Sequence, residues 1–565
     1  MKSPHSPVTP LISTPNTPLL FITLWFLLAV VPAGLAELTS DEAYYWFYTT
    51  SLQWGYYDHP PFLPLMINVG TLLFPGELGV RFFTAALSTL GLLIVFTLLP
   101  KDRGTRWTAY VIVLSLPLLN YLSIVIMPDG PLMFFSIVFL YAYKRFLDKE
   151  DRSAVALLGV AMALMAYSKY HGALVVLFTV LSNPSLLRSR KFHTALLVAL
   201  LGFLPHLWWQ YQNHFVTFEY HIRGRATGLT TRYLFEYVSQ QVLAIGPALI
   251  FVPFVVKTRD PFERALKFIS IGTLVFFLLA TLRGFVHTHW TSIALYPIIL
   301  LAVPFYRSWN TRVWFYALFV PLGVALLLLR VYLIYPIFPI NHMGIDYYHD
   351  RDAWAEDIHD VAGDDPVVFP EDFKQAPLYT FYSGQTGVAL FRDGSRQSQY
   401  ELWQYEDSLQ GTSVTWVLGH GFAGADTLRT RMGPTVYHAR FPDFSSYNNI
   451  AISADAPDTI EHGRDTLPIT LTIFNHRSTA LTFPATPAGA QPRLVVRIRG
   501  ETGDTAFTLR TLSQADANAP ETSRVLRVDV PVASLAPGRY RIAFAIHADP
   551  LSFAWDSDES VFTVE

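Results

Sequence analysis

Long apolar runs recur through the first 340 residues of this chain and then stop. A hydrocarbon core about 30 Å thick takes roughly 20 apolar residues in helical form, because each backbone N–H and C=O inside it must be bonded within the segment. Eleven runs read as helices on this basis, near 19–36, 80–100, 107–126, 131–143, 153–168, 172–184, 193–209, 240–256, 268–282, 293–306 and 313–337. The pattern predicts a polytopic α-helical membrane domain over 19–340, with a Pro/Ser/Thr-rich cytoplasmic tail over 1–18. The first run ends in Gly34-Leu35-Ala36, a small-x-small ending that also suits signal-peptide cleavage. A long n-region with one lysine favours a retained helix instead.

Charge orients the domain. Alternate loops hold Lys101/Arg103/Arg106, Lys144/Arg145/Lys149/Arg152, Arg188/Arg190/Lys191, Lys257/Arg259/Arg264/Lys267 and Arg307/Arg312. Positive residues collect on the cytoplasmic side, so the N-terminus is expected inside and, after eleven spans, the C-terminal part outside. That predicts an integral membrane protein with a cytoplasmic N-terminus and an extracytoplasmic C-terminal part. The opposite loops carry Asp41/Glu42, Asp129, Lys169, Arg223/Arg225/Arg232 and Arg283. Ionisable groups that break the topological pattern at a membrane edge are functional candidates.

Beyond Ile340 amphipathic helical patterns alternate with short β-like runs at Val367-Val368-Phe369, Val388-Ala389-Leu390-Phe391 and 414–418. This predicts an extracytoplasmic α/β subdomain over 341–447. From 448 to 565 the pattern becomes all-β. ITLTIF, RLVVRIRG, FTLRTL, RVLRVDV, RYRIAFAI and SVFTV are separated by turn-rich segments, as in an immunoglobulin-like β-sandwich. This part holds no catalytic motif and reads as a binding or positioning module.

The net charge of −3 gives no basic character for nucleic acid, and the absence of cysteine excludes disulfides, thiol catalysis and Cys-ligated metals. No Walker loop or dinucleotide fingerprint occurs, so a nucleotide-sugar donor at a cytoplasmic site is not supported and no cofactor is expected. His287-x-His289 lacks a further ligand pattern, so no metal is expected either.

Residues 38–62, LTSDEAYYWFYTTSLQWGYYDHPPF, follow the first span. An adjacent acid pair, a dense aromatic run from Tyr44 to Tyr48 and Tyr56-Tyr57-Asp58-His59-Pro60-Pro61 succeed one another. Such aromatic density suits a helix lying in the membrane interface. The stretch resembles the first extracytoplasmic loop of GT-C glycosyltransferases that use polyprenyl-phosphate sugars. The resemblance is to bacterial members of the protein mannosyltransferase family (family 39) and to the related lipid A glycosyltransferases of family 83. Weaker echoes are Met127-Pro128-Asp129-Gly130-Pro131-Leu132, Ser168-Lys169-Tyr170-His171-Gly172 and His289-Trp290…Tyr296-Pro297. Together they cover about the first 340 residues. The resemblance implies transfer of a sugar from a polyprenyl-phosphate donor to a protein, lipid or glycan acceptor among membrane lipids. Lipid A or envelope-glycan modification is the alternative to protein glycosylation. A transporter is a rival of another class, although no internal repeat favours it.

Transfer to a hydroxyl needs a base as the bond forms, while a polyprenyl phosphate is already a leaving group. One carboxylate suffices, and single displacement inverts the anomeric carbon. The resemblance assigns that base to Asp41. Glu42 is also a catalytic candidate and has a structural alternative, since Thr39-x-x-Glu42 fits a helix capping box. Asp129 sits in a turn-like Pro-Asp-Gly-Pro and is a second catalytic candidate, because the family often has an acid there. Tyr45, Asp58, His59, Lys169, His221, Arg223, Arg232 and His289 are candidates for binding substrate. Lys169 and the loop arginines would meet phosphate charge as it builds on the leaving group. They could equally snorkel or meet anionic lipid heads.

Overall fold

The computed structural model describes residues 17–149, 151–224, 229–309, 312–337, 349–370, 372–390, 396–448, 450–486, 489–500, 503–548, 551–552, 557 and 559–565. The chain divides into two compact units. One comprises residues 1–37 and 45–346, the other residues 38–44 and 347–565.

The first unit is a helical bundle. Each predicted span coincides with a helix or a broken helix. Among the described residues five helices, up to six with a bent pair, are long and apolar enough to cross a membrane. They are Pro18–Leu35, Gly76–Leu98, Arg190–Gln212, Thr288–Trp309 and Val313–Ile334. The sixth is Leu234–Ile245 with Pro247–Val255, bent by 100° where Gly246 takes φ +92 and Pro247 withholds its N–H. The predicted span 107–126 is two helices, Arg103–Leu114 and Pro117–Leu122, because Pro117 restarts the helix after Leu116 leaves helical geometry. Helix Phe62–Leu73, which begins directly after Pro60-Pro61, is not one of the predicted spans. The remaining apolar helices are Asp129–Lys149, Arg152–Ser168, Gly172–Ser182 and Pro261–Ala280.

Buried charge in this unit is satisfied internally, as a dry interior requires. Arg81 donates to the Ala36 and Glu37 carbonyls at the end of the first helix. Arg330 lies over the Trp25 ring at 5.2 Å and donates to Asn120 at 2.8 Å and Ser123 at 3.1 Å. The lysine- and arginine-rich loops meet one another. Arg307 pairs with Asp102 at 2.8 Å, Arg264 donates to the Ser182 carbonyl at 2.7 Å, and Lys144 lies over Phe262. The other set of loops also meets itself, through Asp58, Tyr56, Trp54, Asp129 and Lys169.

The second unit has an α/β part and a strand-rich part. Strand Val367–Phe369 pairs in parallel with Gly387–Ala389 and Val414–Leu418. Thr435–Phe441 and Asp426–Arg429 extend this sheet antiparallel. Helix Arg351–Ala362 precedes its first strand, and helix Gln375–Ser383 connects Val367–Phe369 to Gly387–Ala389. All six predicted β segments are strands, distributed between two sheets. One contains, in order, Gly503–Thr511, Arg493–Gly500, Gly538–Ala548, Ser560–Val564 and Thr459–Ile460, with Leu551–Ser552 paired beside Gly538–Ala548. The other is Ser523–Pro531, Thr466–Asn475 and Ile450–Asp455. Alternate residues Leu467, Ile469, Leu471 and Ile473, and Leu494, Val496 and Ile498, are buried, so each sheet turns one apolar face inward. Buried Arg477 bonds the Ser446 carbonyl and lies 3.7 Å from Glu406, fastening the strand-rich part to the α/β part.

Candidate active site

In the first unit Asp129 is the first residue of helix Asp129–Lys149 and is fully buried, not an exposed turn residue. Its Oδ2 accepts from Lys169 Nζ at 2.7 Å and its Oδ1 from the Ser292 hydroxyl at 2.9 Å. His289 Nε2 lies 3.8 Å from Oδ2. A carboxylate at a helix N-terminus is favoured by the helix dipole, and here it also holds a buried ammonium. Lys169 terminates the preceding helix with extended backbone, which aims its side chain under the Trp290 ring at 5.7 Å. Lys169 is 7% exposed, so the reading as a lysine snorkelling to the interface is not met. His171 is buried beside the pair. Burial first, and the Lys169 charge second, push its pKa well below the ordinary histidine value.

The aromatic loop is built around buried hydroxyls. Asp58 is buried and accepts from the Tyr48 hydroxyl. Tyr48 stacks on Tyr56 at 4.4 Å, and burial pushes the Tyr56 hydroxyl up to about 12. His221 donates from Nε2 to the Asp58 carbonyl at 3.0 Å. His59 lies between the Tyr45 ring at 5.5 Å and the His221 ring at 6.5 Å. Tyr170 joins the two loop regions. Its ring meets His221 edge-on at 6.1 Å, and its hydroxyl meets His206 Nε2 at 2.8 Å. His206 Nδ1 in turn donates to the Trp54 carbonyl at 2.6 Å. Beside this network an apolar cavity of about 380 Å³ is lined by Trp54, Phe62, Leu65, Leu164 and Tyr167, among others.

The other candidates divide. Arg232 is exposed and lies over its neighbour Tyr233 at 5.5 Å. The Arg223 side chain and the whole of Arg225 lie outside the described residues. Among the described residues no group of three or more His, Cys, Asp or Glu could hold a metal ion.

Asp41 and Glu42 belong to the second unit, since residues 38–44 group with it. Helix Ser40–Phe47 begins there with the predicted capping box. The Thr39 N–H donates to Glu42 Oε2 at 2.8 Å, and the Glu42 N–H donates to Thr39 Oγ1 at 3.3 Å. Glu42 is fully buried and serves this cap, while Asp41 is partly exposed. The rings of this helix turn to protein. Tyr44, Tyr45, Phe47 and Tyr48 are at most 9% exposed, because each ring finds protein partners instead of lipid heads. Asp41 Oδ1 is 2.9 Å from Lys374 Nζ. Lys374 carries no motif and is not legible as a site residue in the sequence; neither are Ser292 and His206.

The comparisons with known proteins agree with the resemblance seen in the sequence. The family described as dolichyl-phosphate-mannose-protein mannosyltransferase matches residues 58–209. The chain is 24% identical over 314 residues to a lipid A galacturonosyltransferase, RgtD, of Rhizobium johnstonii, covering 51% of this chain and 65% of that protein. It is 28% identical over 193 residues to the lipopolysaccharide core galacturonosyltransferase RgtA of the same organism, covering 31% of this chain and 38% of that one. The chain thus spans less than two thirds of the length of both. The fold is that of ArnT from Cupriavidus metallidurans. Its structure bound to undecaprenyl phosphate matches with a TM-score of 0.54 at 14% identity, over 75% of this chain and 98% of that one. This likeness shows the fold, a polytopic GT-C one, and the chain's long apolar helices make it an integral membrane protein.

Proposed function

We propose that this chain is a membrane glycosyltransferase that moves a sugar from a polyprenyl phosphate to a hydroxyl of lipid A or another envelope glycan, on the extracytoplasmic side of a bacterial inner membrane. The observation that carries the reading is the 380 Å³ apolar cavity beside the polar loop network of Trp54, His206, Tyr170, Asp58 and His59. An isoprenoid chain fits such a lining, and its phosphate needs polar groups at the cavity's rim. The names of the curated relatives and the lipid bound in ArnT support the same donor class and favour a glycolipid acceptor over a protein.

In the proposed reaction the acceptor oxygen attacks the anomeric carbon as the bond to the phosphate oxygen breaks. Asp41 takes the acceptor proton, the polyprenyl phosphate leaves with the bonding electrons, and the configuration inverts. His59, His221 and Arg232 are proposed contacts to donor phosphate or acceptor. Asp129, with Lys169 and His289, is proposed to fix the wall of the site more than to move a proton, since its oxygens are already engaged. Purified protein given radiolabelled polyprenyl-phosphate sugar and lipid A tests this. Labelled lipid A is expected; label transferred only to protein, or only from a nucleotide sugar, contradicts it.

A further inference from the structure

We infer that the α/β part of the second unit is a positioning device for Asp41, with Lys374 as its principal residue. The inference rests on the reading of Asp41 as the catalytic base. Residues 38–44 are short, yet four separate parts of the α/β region hold them. The Leu38 N–H donates to the Tyr382 hydroxyl at 2.7 Å, and its carbonyl accepts from Arg351 Nη1 at 2.5 Å. The Gln399 N–H donates to the Tyr44 hydroxyl at 3.0 Å. The Tyr44 ring stands edge-on to Phe373 at 4.7 Å. Within this frame Lys374 Nζ meets Asp41 Oδ1 at 2.9 Å.

Lys374 is itself held. Its backbone N–H donates to Asp372 Oδ1 at 3.0 Å, and its neighbour Phe373 lies under the Arg396 guanidinium at 4.4 Å. An isolated exposed ion pair orders little, because two long side chains must be immobilised for a weak attraction. Here both backbones are fixed by other contacts, so the pair selects one rotamer of Asp41 at small entropic cost. The capping box fixes the helix start two ways, through Thr39 and Glu42, and leaves only the Asp41 side chain to be oriented. Lys374 does that. A base must stand within hydrogen-bond reach of the proton it takes, and a displacement of about 1 Å can cost a hundredfold.

The test is turnover of the purified full-length enzyme with labelled polyprenyl-phosphate sugar for Lys374→Ala, Lys374→Arg, Asp41→Asn and the Lys374→Ala/Asp41→Asn pair. Lys374→Ala is expected to lower kcat about tenfold or more with donor KM within about twofold, and Lys374→Arg to restore most of it. In the Asp41→Asn background Lys374→Ala should have no further effect, which a merely structural role would not produce. Should Lys374→Ala fail to fold, Tyr382→Phe removes one hydroxyl from the same clamp and should lower kcat without moving donor KM. Full kcat in whichever of these two variants folds, or equal losses with and without Asp41, overturns the inference. Full activity of Asp41→Asn alone overturns the reading of Asp41 beneath it.

Discussion

Replacing Lys169 by methionine keeps an apolar stem of similar length and removes one buried charge. Asp129 is left fully buried with the Ser292 hydroxyl at 2.9 Å and His289 at 3.8 Å. At the 2.7 Å separation of the pair, an effective dielectric of about 20 gives an attraction of roughly 6 kcal/mol. Part of this is offset by the desolvation of both ions, and removal of one partner of such a pair costs about 3–5 kcal/mol net. At about 2–4 °C per kcal/mol for a large domain, the melting temperature in detergent should fall by roughly 10 °C. Thermal unfolding followed by tryptophan fluorescence reads this directly. Adding Asp129→Asn to Lys169→Met removes the orphaned carboxylate and should recover most of the loss. A single variant within about 1 kcal/mol of the parent, or a double variant no better than the single, would refute the account of this pair.

Three further outcomes are expected. A reporter fused after Glu565 should read extracytoplasmic and one fused at Asp102 cytoplasmic, because alternate loops of the chain carry the Lys and Arg excess; a cytoplasmic Glu565 contradicts the orientation. Leu164→Trp narrows the apolar cavity and should raise donor KM severalfold at near-normal kcat, whereas unchanged donor kinetics place the lipid elsewhere. Glu401 is raised from 4.5 to about 7, mainly by burial. Its folded form binds the proton more tightly than its unfolded form, so its contribution is most favourable below about pH 4.5 and is lost as pH rises to about 7. Glu401→Gln should flatten that part of the stability–pH curve, and an unchanged slope in thermal unfolding between pH 5 and 7 assigns it to other groups.

The helices were legible because apolar runs in a membrane domain have few alternatives. Boundaries failed where proline or glycine acted through geometry. Pro117 divided one expected span and Gly246-Pro247 bent another. Helix Phe62–Leu73 follows the turn at Pro60-Pro61, and its twelve residues are too few to show as a span. In the aromatic helix after the first span, ring density does not distinguish a ring facing lipid heads from one packed on protein, and the rings pack on protein. The six strands of the C-terminal part were legible from strict alternation. The site was legible only in pieces. Asp129 and Lys169 each stood out as charges at a membrane edge, yet nothing in the sequence said that they pair. The clamp on residues 38–44 comes from side chains such as Tyr382 and Gln399, 344 and 355 residues away from their partners, and separation of that kind leaves no local pattern.

The central claim is that a single carboxylate, Asp41, takes the acceptor proton in transfer from a lipid-linked sugar. Its most direct test is single-turnover transfer from radiolabelled polyprenyl-phosphate sugar to lipid A by Asp41→Asn and Glu42→Gln beside the parent enzyme. Asp41→Asn should fold and bind donor yet lose turnover by roughly a hundredfold or more. Glu42→Gln, which weakens a cap worth about 1 kcal/mol, should lose stability and little turnover. Near-normal transfer by Asp41→Asn with an inactive Glu42→Gln would give the base role to Glu42, and near-normal transfer by both would contradict the mechanism.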